Sequence, residues 1–171
     1  NISIIGESMD NTIIVNKPEV EGIGVTATLF NTSTGLYMQD LTLKNAYPFD
    51  KSTGRAVCLQ DKGTQTICKN VKMLSYQDTY YSNNNKGQYY FEGSDIHGIV
   101  DFSCGGGDVF FNKCTLTLEP GKGSYITAPY TDGTDYGYVF DGCKIVGSAT
   151  DSFTFGRSWG GTAKCAFLNT I

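Results

Sequence analysis

The sequence predicts an all-β chain wound into a right-handed, single-stranded parallel β-helix, and three observations predict it. The first is an irregular repeat. The blocks Met38-Gln39-Asp40-Leu41-Thr42-Leu43, Cys68-Lys69-Asn70-Val71-Lys72-Met73, Phe91-Glu92-Gly93-Ser94-Asp95-Ile96, Phe111-Asn112-Lys113-Cys114-Thr115-Leu116 and Phe140-Asp141-Gly142-Cys143-Lys144-Ile145 share one frame, which the closing Leu168-Asn169-Thr170-Ile171 continues. Their fourth positions, Leu41, Val71, Ser94, Cys114, Cys143 and Ile171, are spaced by 30, 23, 20, 29 and 28 residues. Fourth and sixth positions share a strand face and are mostly apolar, while Asn, Asp or Gly supplies a bend at the second or third. The second observation is composition: 21 glycines among many Asn, Asp, Ser, Thr, Val, Ile, Phe and Tyr point to short strands and tight turns. The third is the lack of helical periodicity; a β-rich period of this length fills its core only when neighbouring coils stack. A leucine-rich repeat would need a Leu/Asn ladder that is missing.

The 171 residues suffice for one domain, residues 1–171, with a real core. Both ends fall inside apolar, strand-like runs, Asn1-Ile2-Ser3-Ile4-Ile5 and Phe167-Leu168-Asn169-Thr170-Ile171, so the chain reads as the central coils of a solenoid truncated at both ends. A net charge of −4 without a Lys/Arg stripe argues against nucleic acid, and no apolar run is long enough to span a membrane. Six cysteines form no CxxC pair and no zinc-like spacing with the single histidine, so free buried thiols are expected. Cys114 and Cys143 should be neighbours in an inward column, where a stack of thiols is preferred over a disulfide.

The elements follow in order. Residues 1–16 read as two short strands around Gly6-Glu7-Ser8, and Gly24 to Phe30 as a third that completes the first coil. Leu36 to Asn45 form the next strand. Tyr47-Pro48-Phe49-Asp50 then make a loop, and Gly54 to Leu59 a strand. Tyr125-Ile126-Thr127-Ala128 should occupy the rung after Asp101, and Phe153 to Trp159 the rung after that. Gly105-Gly106-Gly107 is turn material rather than a phosphate cradle, because no helix signal follows.

This frame brings chemistry together. Asp78 follows Val71 by seven residues and Asp101 follows Ser94 by seven. On stacked coils the two carboxylates therefore lie on adjacent exposed strands about 4.8 Å apart. Arg55 is expected one rung below Asp78. Arg157 stands two strand spacings from Asp101, within reach if its side chain lies along the sheet. The expected transverse ladder is Arg55, Asp78, Asp101, the Thr127 region and Arg157. Two carboxylates so close do not both ionise easily, so one should hold a proton while the other stays charged.

Four ordered segments carry a resemblance: Gly54-Arg55-Ala56-Val57, Tyr76-Gln77-Asp78-Thr79, Gly98-Ile99-Val100-Asp101-Phe102 through Gly105, and Phe155-Gly156-Arg157-Ser158-Trp159. In order and interval they resemble the pectin methylesterases, carbohydrate esterase family 8, over essentially the whole chain. The resemblance implies a pectin lyase-like solenoid that removes methyl esters from galacturonate units of pectin and releases methanol. It implies Asp101 as nucleophile and Asp78 as general acid, then base. Gln77 is implied as an oxyanion donor, with Arg157 favouring the ionised Asp101. Trp159, Tyr81 and Phe102 are implied at substrate subsites, where sugar rings stack on aromatic faces. Arg55, placed with the substrate-binding residues, stands where the family has a second glutamine, either replacing that oxyanion donor or neutralising Asp78, and Cys104 stands where the family usually has a phenylalanine. No cofactor and no metal are implied. The partner implied is methylated pectin, the protein a monomer, and the location secreted or periplasmic.

Each residue also has an ordinary reading. An aspartate on an exposed strand is usually just solvated, Arg157 a surface ion-pair partner, Gln77 a member of a polar ladder and Trp159 a packed ring. His97 is assigned no role. Two other functions fit the residues: a polysaccharide-cleaving glycosidase, since paired carboxylates about 5 Å apart also suit a glycosyl intermediate, and a non-catalytic carbohydrate-binding β-helix.

Overall fold

The computed structural model describes residues 1–48, 54–121, 123–147 and 153–171. Every strand pairs in parallel, and none of the described residues is helical, so none forms a helix able to cross a membrane. The first sheet holds β1 (Ile2–Ile5), β2 (Ile13–Asn16), β4 (Leu36–Asn45), β6 (Thr66–Leu74), β8 (Gln88–Glu92), β9 (Asp95–Gly98), β11 (Asp108–Asn112), β12 (Thr115–Leu118), β14 (Tyr138–Asp141), β15 (Lys144–Gly147) and β17 (Cys165–Leu168). The second holds β3 (Leu29–Asn31), β5 (Leu59–Asp61), β7 (Tyr80–Ser82), β10 (Val100–Gly105), β13 (Ser124–Pro129) and β16 (Phe153–Gly156). The chain is the predicted parallel β-helix.

The repeated block is the corner of each coil. Its third residue takes a left-handed backbone every time: Asp40, Asn70, Gly93, Lys113, Gly142 and Asn169 have φ between 48° and 62°. Gly and Asn adopt that conformation cheaply, and Asp less so. It bends the first sheet and separates two inward columns. Before the bend, Met38, Cys68, Phe91, Phe111, Phe140 and Phe167 stack in register. After it, Leu43, Met73, Ile96, Leu116 and Ile145 do the same. The four phenylalanine rings lie face to face at 4.8, 4.5 and 4.4 Å.

Several expectations shift by one or two residues. At the last corner Phe167, not Leu168, pairs with Phe140, and the left-handed residue is Asn169. The fourth position of that coil is therefore Thr170 rather than Ile171, because the bend and not the aliphatic pattern fixes the register. Strand β3 begins at Leu29, after a loop where a strand from Gly24 was expected. Strand β5 begins at Leu59; residues 54–58 form no strand, but Arg55 bridges Gln77, and the Ala56 and Cys58 N–H groups donate to the Gln77 and Thr79 carbonyls. The strands predicted within residues 1–16 and over 36–45 form. Phe49 and Asp50 of the expected loop lie outside the described residues. All six cysteines are free, five of them buried.

His97, on β9, sits between two carboxylates: Nδ1 lies 2.6 Å from Glu119 and Nε2 3.0 Å from Asp95, whose other oxygen accepts from Thr117. Burial opposes its charge, but the hydrogen bonds to Asp95 and Glu119 outweigh it and raise its pKa. A raised histidine pKa stabilises the fold fully below the unfolded value of about 6.5, and that stabilisation is lost as pH rises through the folded value. His97→Gln should therefore lower Tm more at pH 6 than at pH 9. Equal losses at both pH values would show that the imidazolium contributes nothing.

Candidate active site

The second sheet carries the two aspartates at a local break in its regularity. Gln77 bridges Val100 and Tyr80 pairs with Ser103, a constant offset of 23, so Asp78 and Asp101 lie in register on adjacent coils. Both have positive φ, 57° and 50°. The next strand does not keep step: Val100 pairs with Tyr125 but Ser103 with Thr127, which leaves Asp101 and Phe102 opposite one residue. Such a bulge re-aims side chains. It turns Phe102 into the core, where the bare Gly98 makes room for its ring.

The carboxylates are recessed rather than displayed. Asp78 is 5% and Asp101 6% exposed, against the expectation of an open strand, because a half-exposed Arg157 covers Asp101. Arg157 Nε donates to Asp101 Oδ1 at 2.9 Å, and Nη2 makes a second, shorter bond to Oδ2. Its guanidinium lies 4.9 Å from the centre of the Tyr125 ring, which fixes the plane of the fork. The Arg157 backbone hydrogen-bonds to Thr127, so the side chain runs back along the sheet to reach Asp101. Thr127 itself is fully buried beside Ser103 and is no member of the carboxylate row.

The pair is electrostatically uneven. Burial, followed by the charge of Asp101, pushes the Asp78 carboxyl up to about 7, against smaller opposing effects of the Cys104 thiol, Arg55 and Arg157. The Cys104 thiol donates to Asp78 Oδ1 at 3.7 Å. Burial and the two carboxylates hold that thiol well above its usual range, so it stays a donor. Asp78 is thus placed to exchange a proton near neutral pH, and Asp101 to present two oriented oxygens.

Around them the predicted residues divide. Gln77 is half-buried at the row of Arg55 and Val100, and its carboxamide has no hydrogen-bond partner among the described residues. Arg55 does not stand level with Asp78 but with Gln77, and its guanidinium turns to Glu21: Nε to Oε2 at 2.9 Å and Nη2 to Oε1 at 2.7 Å. Trp159, 48% exposed, lies beyond the end of β16, with its ring 5.7 Å from Tyr81 and 6.4 Å from Tyr130. With Asn83 and Asn85 these rings line a cleft of about 470 Å³. Phe102, expected at a subsite, is completely buried and cannot touch a ligand.

Sequence reasoning missed Glu21, Tyr125 and Tyr130. Tyr125 opens the segment predicted as the rung after Asp101, and it lies under Arg157 because that side chain runs back along the sheet to Asp101. Glu21 sits in a loop with no repeat to place it. Among the described residues no cluster of His, Cys, Asp and Glu is arranged to hold a metal ion.

The chain is similar to known proteins in sequence and fold. The chain is 33% identical over 150 residues to Pectinesterase 1 of Olea europaea, an alignment covering 84% of the chain and 40% of that protein. It is 29% identical to the probable pectinesterase/pectinesterase inhibitor 16 of Arabidopsis thaliana, over 93% of the chain and 31% of the relative. Among solved structures, the pectin methylesterase of Erwinia chrysanthemi superposes with a TM-score of 0.83 at 26% identity, over 98% of this chain and 63% of that one. A pectin methylesterase solved in complex with a hexasaccharide gives 0.86 at 25% identity over the same shares. The chain thus spans about a third of the Arabidopsis relative and under two thirds of these solved neighbours. The family model described as pectinesterase matches residues 1–170, and the chain belongs to that family.

Proposed function

We propose that the protein is a pectin methylesterase: a carboxylic ester hydrolase that removes methyl groups from galacturonate units of pectin and releases methanol. One observation carries the reading. Two carboxylates lie in register on adjacent coils, one held at both oxygens by Arg157, the other buried with its pKa pushed up to about 7.

The proposed reaction needs no cofactor. Asp101 attacks the ester carbonyl carbon, and the negative charge moves to the carbonyl oxygen, where the Gln77 amide donates. As the tetrahedral species collapses, the carbon–methoxy bond breaks and Asp78 gives its proton to the departing oxygen, forming methanol and an acyl-Asp101 anhydride. Asp78, now a carboxylate, takes a proton from water. The resulting hydroxide cleaves the anhydride, which frees the galacturonate and restores both aspartates. Arg157 holds Asp101 in line before attack and receives it as a leaving group afterwards. The Trp159, Tyr81 and Tyr130 rings offer faces to the sugar CH surfaces. Arg55, tied to Glu21, takes no part as an oxyanion donor. An enzyme with this substrate works outside the cell, as a secreted or periplasmic monomer.

Methanol release from methyl-esterified pectin by the full-length protein tests this proposal. Methanol without new reducing ends is expected; reducing ends without methanol would indicate a glycosidase, and binding with neither product a carbohydrate-binding solenoid. The pH dependence adds a sharper test. The first step needs Asp78 protonated, so kcat/KM should fall about tenfold per pH unit above an apparent pKa of about 7. A flat profile from pH 6 to 9 would remove Asp78 from the acid role.

A further inference from the structure

We propose that Glu21 is a positioning residue for the acid–base group: by taking the Arg55 guanidinium in a two-point ion pair, it keeps that positive charge off Asp78 and so leaves Asp78 its proton. The inference rests on Asp78 acting as the acid.

Arg55 stands at a sensitive place. Its backbone bridges Gln77, the residue before Asp78. The two carboxylates whose charge it feels are Glu21 and Asp78. With Glu21 it forms the parallel fork that matches a carboxylate best, 2.9 and 2.7 Å. The contact is half-exposed, with Arg55 and Glu21 side chains 46% and 34% accessible, so its direct worth to stability is small. Its worth here is in where it sends the charge.

The segment bearing Glu21 is bolted to the segment bearing Arg55. Gly22 N–H donates to the Arg55 carbonyl at 3.1 Å, and Gly22 itself sits at φ 146°. Thr26, fully buried, donates its hydroxyl toward the carbonyls of Gly22 at 2.6 Å and Arg55 at 3.2 Å and accepts from Val57 N–H at 3.2 Å. Asn45 and Asn16 in turn donate to the Thr26 carbonyl. Glu21 is therefore presented to Arg55 by a fixed loop, not by a chance surface encounter.

Among the described residues, the titratable and charged groups facing Asp78 are Asp101, Cys104, Arg55, Arg157 and the neutral Tyr81 phenol. Asp101 and the surrounding burial favour the protonated form; Cys104 donates one weak hydrogen bond; Arg157 is committed to Asp101 by two bonds. Among the described residues, the remaining cation acting on Asp78 is Arg55, whose partner is Glu21. Without Glu21 its charge has Asp78 left to answer, and a cation closing on a buried carboxyl lowers its pKa by one to three units.

The test uses the full-length protein with Glu21→Gln, Arg55→Gln and the double variant, reading the Asp78 carboxyl by carbon-13 NMR titration and the pH profile of methanol release. In Glu21→Gln the Asp78 titration and the alkaline limb should both move down by about one pH unit or more, with kcat at pH 7.5 falling about tenfold and KM nearly unchanged. The double variant should return both to the wild-type position, a rescue that a purely structural role for Glu21 would not give. An Asp78 titration unmoved in Glu21→Gln, or a loss of activity that Arg55→Gln fails to restore, overturns the inference. If the wild type releases no methanol, the functional proposal fails, while the NMR titration still decides whether Glu21 governs the charge on Asp78.

Discussion

Asp101→Asn is expected to lower methanol release by roughly four orders of magnitude or more, as removal of an attacking nucleophile does in other covalent hydrolases. That is about 5.5 kcal/mol of lost barrier reduction. The size of the effect follows from what the amide cannot do. An Asn side chain is nearly the same shape and still accepts from Arg157, but its carbonyl oxygen carries no charge with which to attack an ester. The substitution also removes the neighbouring negative charge, the second cause after burial of the high Asp78 pKa. Residual activity should therefore show its alkaline limb shifted toward acid. The fold should barely notice, since the Arg157 it faces is half-exposed and the pair contributes little there. Methanol assays across pH on both proteins, with Tm measured alongside, check the three expectations together. A variant within tenfold of wild type would place the nucleophile elsewhere and end the two-aspartate proposal.

Repetition in space made much of this legible in one dimension. The corner block repeats because a left-handed residue is needed once per coil, and the apolar positions on either side repeat because each must stack on the coil below. Counting from those corners put Asp78 beside Asp101, since the intervals of seven from Val71 and from Ser94 cross equal lengths of chain. Where a loop intervened, counting failed. Arg55 landed one residue away, against Gln77, because the loop length that had to be assumed before it sets no register. Thr127 left the carboxylate row and Phe102 sank into the core for the same cause, a bulge that no residue type announces. Terminal register slipped too: Ile171 looked like a core aliphatic, yet Asn169 is the residue that can turn the corner. Burial of the aspartates could not be read at all, because the Arg157 that covers Asp101 arrives from a coil more than fifty residues later.

The largest effect on stability should come from Phe111→Ala. Phe111 is fully buried in the middle of the phenylalanine column, its ring centre 4.8 Å from that of Phe91 and 4.5 Å from that of Phe140, with the ring centres of Tyr80 and Tyr138 each 6.2 Å away. A solenoid is stabilised chiefly by contacts between adjacent coils, and this ring serves two such interfaces at once. The neighbouring rings are flat and held in strand register, so they cannot collapse into the gap, and most of the cavity penalty should persist. A loss of about 3–5 kcal/mol is expected, out of a total of about 5–15 kcal/mol for a domain. In urea that corresponds to a midpoint lower by roughly 1.5–2 M. Phe167→Ala, at a half-buried ring with one stacked partner, should cost clearly less. The damage should also reach the site by a short route: Tyr80 leans on Phe111, and its strand β7 pairs with β10, which carries Asp101. Phe111→Ala should therefore depress kcat below the denaturation midpoint, where Phe167→Ala leaves it near wild type. Equal costs at the two positions, or a loss below about 1 kcal/mol at Phe111, would mean that the stacked rings are not what joins one coil to the next.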